Sequence, residues 1–501
     1  MRLEMVVEAR KALRATRSRV AKREILADVL RAAGEETGLV AAYLAGELPQ
    51  RRTGVGWSSL KELPQAAVTP SLTVVETDQA LEEISELSGA GSATRRREQL
   101  RALFSRATGD EQQFLRDLIL GELRQGASDA AVLDAIAEAH RIDPRLVRRA
   151  AMLGGSTPEV AVAAVHGGAA ALEAFDLEVL RGVRPMLASS APDVAAALAT
   201  FGTEPVLVDA KLDGIRAQVH RRDTEVRILT RSLDDITARL PEVAERVLRL
   251  PGREFVLDAE VLLIAEDGRP RPFQETSART ASATDQARLR LFAFDLLAHD
   301  GEVLLDEPLA RRRAALEGLL PAEERVRSLT TDDASEAQRF FDEVVGAGLE
   351  GVVVKDPAAP YAAGRRGAAW VKVKPRHTFD LVVVAVEWGS GRRRGLLSNI
   401  HLAARGEGGD LVMVGKTFKG MTDEMLAWQT ERFLALETHR EGHVVWVRPE
   451  QVVEIAIDGV QRSTRYPGGL ALRFARVIRY RDDKRPDEAD TIAALRHLGS
   501  S

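Results

Sequence analysis

The chain has 501 residues, 70 Lys or Arg against 75 Asp or Glu for a net charge of -5, and no cysteine. That length exceeds one ordinary hydrophobic core and implies roughly two to four domains. The near balance of charge offers nucleic acid no whole-molecule attraction, so any such contact must use local patches. The missing cysteines exclude disulfides, thiolate zinc sites and cysteine nucleophiles, and fit a reducing cytoplasm.

The opening MRLEMVVEARKALRATRSRVAKRE has apolar residues at helical spacing, broken by charges every few positions, and lacks the continuous apolar stretch of a signal peptide. No run of about 18 apolar residues follows anywhere, so no membrane span is expected. To about residue 175, Ala, Leu, Glu and Arg dominate and apolar positions recur at i, i+3 and i+4, as in VLDAIAEAHRIDPRLVRRAAML. This third reads as all-helical, with loops at SGAGSATRRR (88–97) and AMLGGSTPE (151–159). Most of its arginines read as solvated helix faces.

From about residue 176 short β-branched runs take over: PVLVDAKL, AQVHR, VRILT, FVLDAEVLLI, LRLFAFDLL, GVVVK and AWVKVK. Helical stretches such as ITARLPEVAERVLRL lie between them. The pattern predicts a mixed, largely antiparallel α/β domain ending near Pro375. From about Asp380, DLVVVAVEW, NIHLAAR, DLVMVGK, VVWVRPE and VVEIAI predict five short strands, which fit a small barrel, and the last fifteen or so residues read as a polar, fraying tail.

Two Gly-rich stretches imitate phosphate loops. GSGRRRG (389–395) has arginine at 394 where a dinucleotide fingerprint needs glycine, and GGDLVMVGKT has Asp410 where a Walker A loop needs its first glycine. Arg392, Arg393 and Arg394 remain candidates for phosphate contact.

KLDG, by itself, reads as a strand end and turn. Its order with later elements changes that reading. Period two puts Asp258 and Glu260 of FVLDAEVL on one strand face, a plausible pair for a divalent cation or a ribose hydroxyl. Glu350 and Lys355 stand at opposite ends of the apolar run GVVV, and Lys372 and Lys374 share a strand face in WVKVKP with Val373 pointing away. RFARVIRYRDDK adds Arg473, Arg476, Arg479 and Lys484.

Together these residues make the chain resemble the ATP-dependent DNA ligases of the bacterial and archaeal replicative-type group, within the covalent nucleotidyltransferases. KLDGIR is similar to motif I, RSLDDIT to Ia, VLDAEVL to III, LFAFDLL to IIIa, LEGVVVK to IV, WVKVKP to V and RFARVIRYRDDK to VI. LGELRQGASDAAVLDAIAEA and RPMLA extend the likeness into the helical third. The resemblance implies a multi-domain protein: an all-α DNA-binding domain over 1–175, an α+β nucleotidyltransferase domain with antiparallel sheets over 176–379, and an OB-fold β-barrel with a polar tail over 380–501.

The resemblance implies that Lys211 is the nucleophile that becomes lysyl-AMP. Arg216 and Arg231 would contact ribose and phosphate, and Phe294 would stack on adenine. Glu260 would lie near ribose and metal, and Glu350 would bind metal. Arg366, Lys372 and Lys374 would surround the phosphates, with Arg473, Arg476 and Lys484 orienting the leaving pyrophosphate. ATP as substrate, Mg²⁺ and nicked duplex DNA are implied, with a monomer in the cytoplasm serving replication, repair or recombination. Two positions depart from the family pattern: Asp209 replaces the usual Glu that contacts the adenine amino group, and Ala475 stands where Pro is common.

An ordinary lysine, with a pKa of about 10.4, is protonated at neutral pH and cannot attack phosphorus. The chemistry therefore calls for other cations and partial burial around the amine, and Lys372, Lys374, Val206 and Val208 are expected to provide them. Residues 350–400 carry nine Lys or Arg against four Asp or Glu, a local surplus suited to salt-sensitive contact with a DNA backbone. An RNA ligase or mRNA-capping guanylyltransferase would share motifs I to V, but the long helical segment and the ligase-like motif VI argue against both. An NAD-dependent ligase commonly needs a four-cysteine zinc site, and a scaffold that had lost activity would not be expected to keep Lys211, Glu260, Glu350, Lys372 and Lys374 together.

Overall fold

The computed structural model describes residues 1–50, 53–123, 128–202, 204–265, 270–271, 276, 288–362 and 366–500. It divides into two compact units, Met1–Ser190 with Thr200–Asp332 and Val353–Val371, and Ala191–Ala199 with Asp333–Val352 and Lys372–Ser501.

The first unit opens with helices from Leu3–Ala15 to Thr157–Glu173. Local chemistry sets their ends. Thr73 and Thr108 each accept the backbone N–H three residues on, while Glu76 and Glu111 bond back to the cap, two capping boxes that satisfy otherwise orphaned donors. Asp143 followed by Pro144 starts the helix Pro144–Gly154. The expected loops are shorter than the composition suggests. A helix begins at Ser92, inside SGAGSATRRR, because only the glycines up to Gly91 break the pattern. The helix Pro144–Gly154 likewise runs through AMLG, and only Gly155 and Ser156 separate it from the next.

Two five-stranded sheets follow. One has the order β1 (Leu187–Ser190), β10 (Arg366–Val373), β9 (Gly351–Lys355), β2 (Val206–Lys211), β8 (Ser328–Thr331). The other has the order β4 (Glu225–Thr230), β3 (Ile215–Arg222), β5 (Glu254–Ile264), β6 (Arg288–His299), β7 (Glu302–Val303), and its pairs are antiparallel. The stretch ITARLPEVAERVLRL is helical as Pro241–Arg249, with proline at its first turn and Val243 and Val247 buried against the sheet's core. Met152 and Leu153 of the helical segment share one apolar cluster with Val183, Met186, Val256, Leu297, Tyr361 and Trp370, and Arg149 clasps Asp306 at 2.6 and 2.8 Å.

In the second unit the long strand β11 (His377–Trp388) pairs along one edge with β12 (Leu397–Arg405), and along the other with β16 (Val452–Ile457) and then β15 (Val444–Val447). β13 (Leu411–Thr417), β14 (Glu437–Glu441) and β19 (Arg476–Arg481) complete seven strands, and β17 (Gly459–Arg462) pairs with β18 (Leu470–Arg473). The predicted runs are all strands, with four more between and after them. The expected fraying tail is instead a helix, Ile492–Ser500, because Ile492 and Leu495 fall one turn apart and bury in the sheet's core at 3% and 0% exposure. No helix among the described residues is long and apolar enough to cross a membrane.

Candidate active site

Lys211 closes β2, whose preceding five residues are buried, and its own side chain is half-buried. The turn into β3 contains Gly214. A Cβ there would stand 2.5 Å from the Val261 carbonyl oxygen and 2.9 Å from Glu260 Cγ, so only glycine lets the turn lie against β5. The Gly214 N–H donates to Glu260 Oε1 at 3.0 Å, which ties the lysine's turn to that carboxylate.

Asp258 and Glu260 share a strand face, as period two predicts, but they have different partners. Arg216 clasps Asp258 through Nε at 3.0 Å and Nη2 at 2.6 Å, and the Tyr361 hydroxyl donates to Asp258 Oδ2 at 2.8 Å. Asp258 is thus neutralised within the protein, which corrects the expectation of a two-carboxylate ligand pair. Burial pushes the Glu260 carboxyl up to about 7, against the pull of Lys211, Arg216 and the Gly214 N–H. Of the two, Glu260 is the carboxylate whose charge is left short of compensation.

Phe294, on β6, is half-buried and forms a platform with its neighbours. The Arg216 guanidinium lies 5.4 Å and the Lys355 ammonium 4.9 Å from its ring centre, and Trp370 meets it edge-on at 6.0 Å. Lys355 is 2% exposed and pairs with Asp209 Oδ2 at 2.5 Å, while the Ser328 hydroxyl donates to Asp209 Oδ1 at 2.6 Å. The carboxylate expected to meet an adenine amino group therefore already has two partners in the protein. Tyr361 was not picked out, and Lys355 was noted only as the end of an apolar strand. A lysine closing an all-apolar strand was the available signal, since a buried ammonium requires a carboxylate.

In the second unit Glu350 pairs with Lys374, which also reaches Asp458 Oδ2 at 3.4 Å. Burial opposes the Lys374 charge, yet Glu350 and Asp458 hold its ammonium above the ordinary lysine range. Glu350 thus faces an ammonium here, and Lys374 is a compensated cation. The cause is local. A Cβ on Gly351, at φ 138°, would meet the Val373 carbonyl oxygen at 2.2 Å, and this close backbone approach brings positions 350 and 374 side by side.

Phe474 is 58% exposed with a left-handed φ of 54°, and Lys374, Lys419 and Arg473 approach its ring at 5.8, 5.5 and 6.0 Å. Lys484 instead bonds Asp380 at 2.5 Å beside Arg481, clamping the end of this segment to its beginning. Its ammonium is thus held by a carboxylate of its own unit. Arg476 is half-buried on β19, Lys372 half-buried on β10, and Arg231 exposed in the turn after β4. The side chain of Arg366 lies outside the described residues. No trio of His, Cys, Asp or Glu able to hold a metal occurs among the described residues.

Comparison with known proteins agrees along the whole chain. Residues 185–374 match the ATP dependent DNA ligase domain, 393–484 the ATP dependent DNA ligase C terminal region, and 58–137 the DNA ligase N terminus. A "Probable DNA ligase" of Nocardioides is 59% identical over 98% of this chain and 97% of its own. One of Beutenbergia cavernae is 57% identical over 99% of each. The solved structure "Pmar-Lig_PreS3" shares the fold at TM-score 0.64 and 19% identity, covering 95% of this chain and 99% of that one. With family models and relatives in agreement, the chain belongs to the ATP-dependent DNA ligases.

Proposed function

We propose that Lys211 carries the nick-sealing reaction of this ligase as its covalent nucleophile. Its Nζ attacks the α-phosphorus of ATP, the bond to pyrophosphate breaks, and AMP is held as a phosphoramidate. AMP then passes to the 5′-phosphate at a nick in duplex DNA, and the adjacent 3′-hydroxyl displaces it to close the strand. The observation that carries this reading is the Gly214 turn, which fastens Lys211 beside Glu260 in the same unit as the Arg216–Phe294 platform.

In this reading adenine stacks on Phe294, and Arg216 and Arg231 meet ribose and phosphate. Asp209 and Lys355 lie at the base edge. Arg366, Lys372, Lys374, Arg473, Arg476 and Lys484 serve the phosphates, Lys374 by exchanging its carboxylates, and Lys484 its Asp380, for phosphate oxygens. Magnesium fits Glu260, a carboxylate pushed up to about 7 by burial, which an added cation would draw back to its ionised form. Glu350, once released by Lys374, is the second carboxylate for it. Bound there, the metal would neutralise charge developing on the phosphates.

We read the division 1–175, 176–379 and 380–501 as DNA-binding, nucleotidyltransferase and OB-fold domains. Support for a closed barrel comes from β11, which pairs on both edges and has a register shift between Val383 and Ala385 that bends it. A monomer in the cytoplasm, acting in replication, repair or recombination, suits a cysteine-free chain that carries the whole motif series.

The test is incubation with ATP labelled at the α-phosphate and Mg²⁺, followed by nicked DNA. Wild type should take up label and lose it to nicks, and Lys211→Ala should take up none. Equal labelling of the variant would remove Lys211 from the mechanism.

A further inference from the structure

Tyr361 comes from the segment between β9 and β10 and is 2% exposed. Its hydroxyl accepts the Met186 N–H at 3.0 Å and donates to Asp258 Oδ2 at 2.8 Å. Asp258 holds Arg216 through two bonds, and Arg216 Nη1 returns to the Met186 carbonyl oxygen at 2.8 Å. The four groups form a closed ring of hydrogen bonds. Burial and the Asp258 charge keep the phenol proton in place, so the hydroxyl remains a donor to the carboxylate.

The ring of Tyr361 has its own contacts. It meets Trp370 edge-on at 5.9 Å, and the Arg312 guanidinium, itself clasping Asp295 at 2.8 and 2.9 Å, lies 5.9 Å from its centre. Trp370 in turn abuts Phe294. Tyr361 thus touches both the carboxylate that aims Arg216 and the aromatic wall on which Arg216 rests. A bidentate Arg–Asp pair sets the guanidinium plane, and the carboxylate can do so only if its own orientation is held.

We infer that Tyr361 is a positioning residue for nucleotide transfer: acting through Asp258 and Met186, its hydroxyl fixes the plane of Arg216 against Phe294. The inference rests on the proposed role of Arg216 and Phe294 in binding the nucleotide. Tyr361 itself touches no reacting atom. Its contribution is to the alignment of ATP and not to the bond changes at Lys211.

Tyr361→Phe keeps the ring contacts and removes one oxygen. With saturating Mg²⁺, the KM for ATP in labelling of Lys211 should rise about tenfold while the maximal rate changes less, and the melting temperature should stay near that of wild type. Arg216→Lys should raise KM further, and the double variant Tyr361→Phe/Arg216→Lys should be no worse than Arg216→Lys alone, because both act on the same contact. An unchanged KM in Tyr361→Phe, or effects that multiply in the double variant, would overturn the inference and leave the ligase reading intact. Wild type that takes up no label at Lys211 would overturn both.

Discussion

Glu260 in the first unit and Glu387 in the second are both strand carboxylates withdrawn from solvent, and their surroundings treat them oppositely. Glu387 is the last residue but one of β11, where the registers of β12 and β13 align Asn399, His401 and Lys416 beside it. Although burial works against its charge, Lys416 at 2.5 Å, His401 at 2.9 Å and Asn399 at 2.6 Å bring its carboxyl down to about 2. Glu260 has one backbone donor and more distant cations, and burial pushes it up to about 7. A carboxylate whose charge is met by its neighbours holds a sheet together. One left short of compensation beside the proposed nucleophile is suited to a ligand that arrives with positive charge.

The contrast can be broken most directly at Glu260. Glu260→Gln should slow adenylation of Lys211 by about 100-fold or more without lowering the melting temperature. A fully active variant would make Glu260 an ordinary strand residue. Glu387→Gln should do the reverse: it removes the charge that Lys416 faces and one of the two acceptor oxygens, and costs roughly 2 kcal/mol in denaturant unfolding, with adenylation unchanged.

The pH slopes of the two pairs have opposite signs. Raised from its ordinary 4.5 to about 7, Glu260 keeps a proton in the folded state that the unfolded chain has lost. Wild type should therefore lose stability relative to Glu260→Gln as pH rises from about 4.5 to 7, and show no such difference below 4.5. Glu387, lowered from 4.5 to about 2, stabilises the fold above 4.5, and that advantage over Glu387→Gln should fade as pH falls towards 2. Parallel slopes for the two pairs, followed by calorimetry, would dissolve the comparison.

Much of the architecture was legible because it rests on short-range pattern. Helical spacing marked the first third, and alternating β-branched runs marked the strands of both sheet regions. The errors arose where local composition competed with burial. Ser92 looked like loop beside two glycines, and the last residues looked like polar tail although Ile492 and Leu495 are spaced to bury one face. At the site, the sequence supplied the residue types and their order, with Lys211 closing β2, Glu260 on β5 and Phe294 on β6. It did not separate Asp258 from Glu260, because period two assigns a face and not a partner.

By itself, then, the sequence determined the family and the strands that present its candidate lysine, carboxylates and cations. Only the tertiary structure decided which charges are spent on one another: Asp258 on Arg216, Asp209 on Lys355, Glu350 on Lys374 and Asp380 on Lys484. The reason is physical. Ion pairing and desolvation depend on distances of a few ångströms between groups as far apart in the chain as Tyr361 and Asp258, 103 residues. No periodicity along one strand encodes that distance.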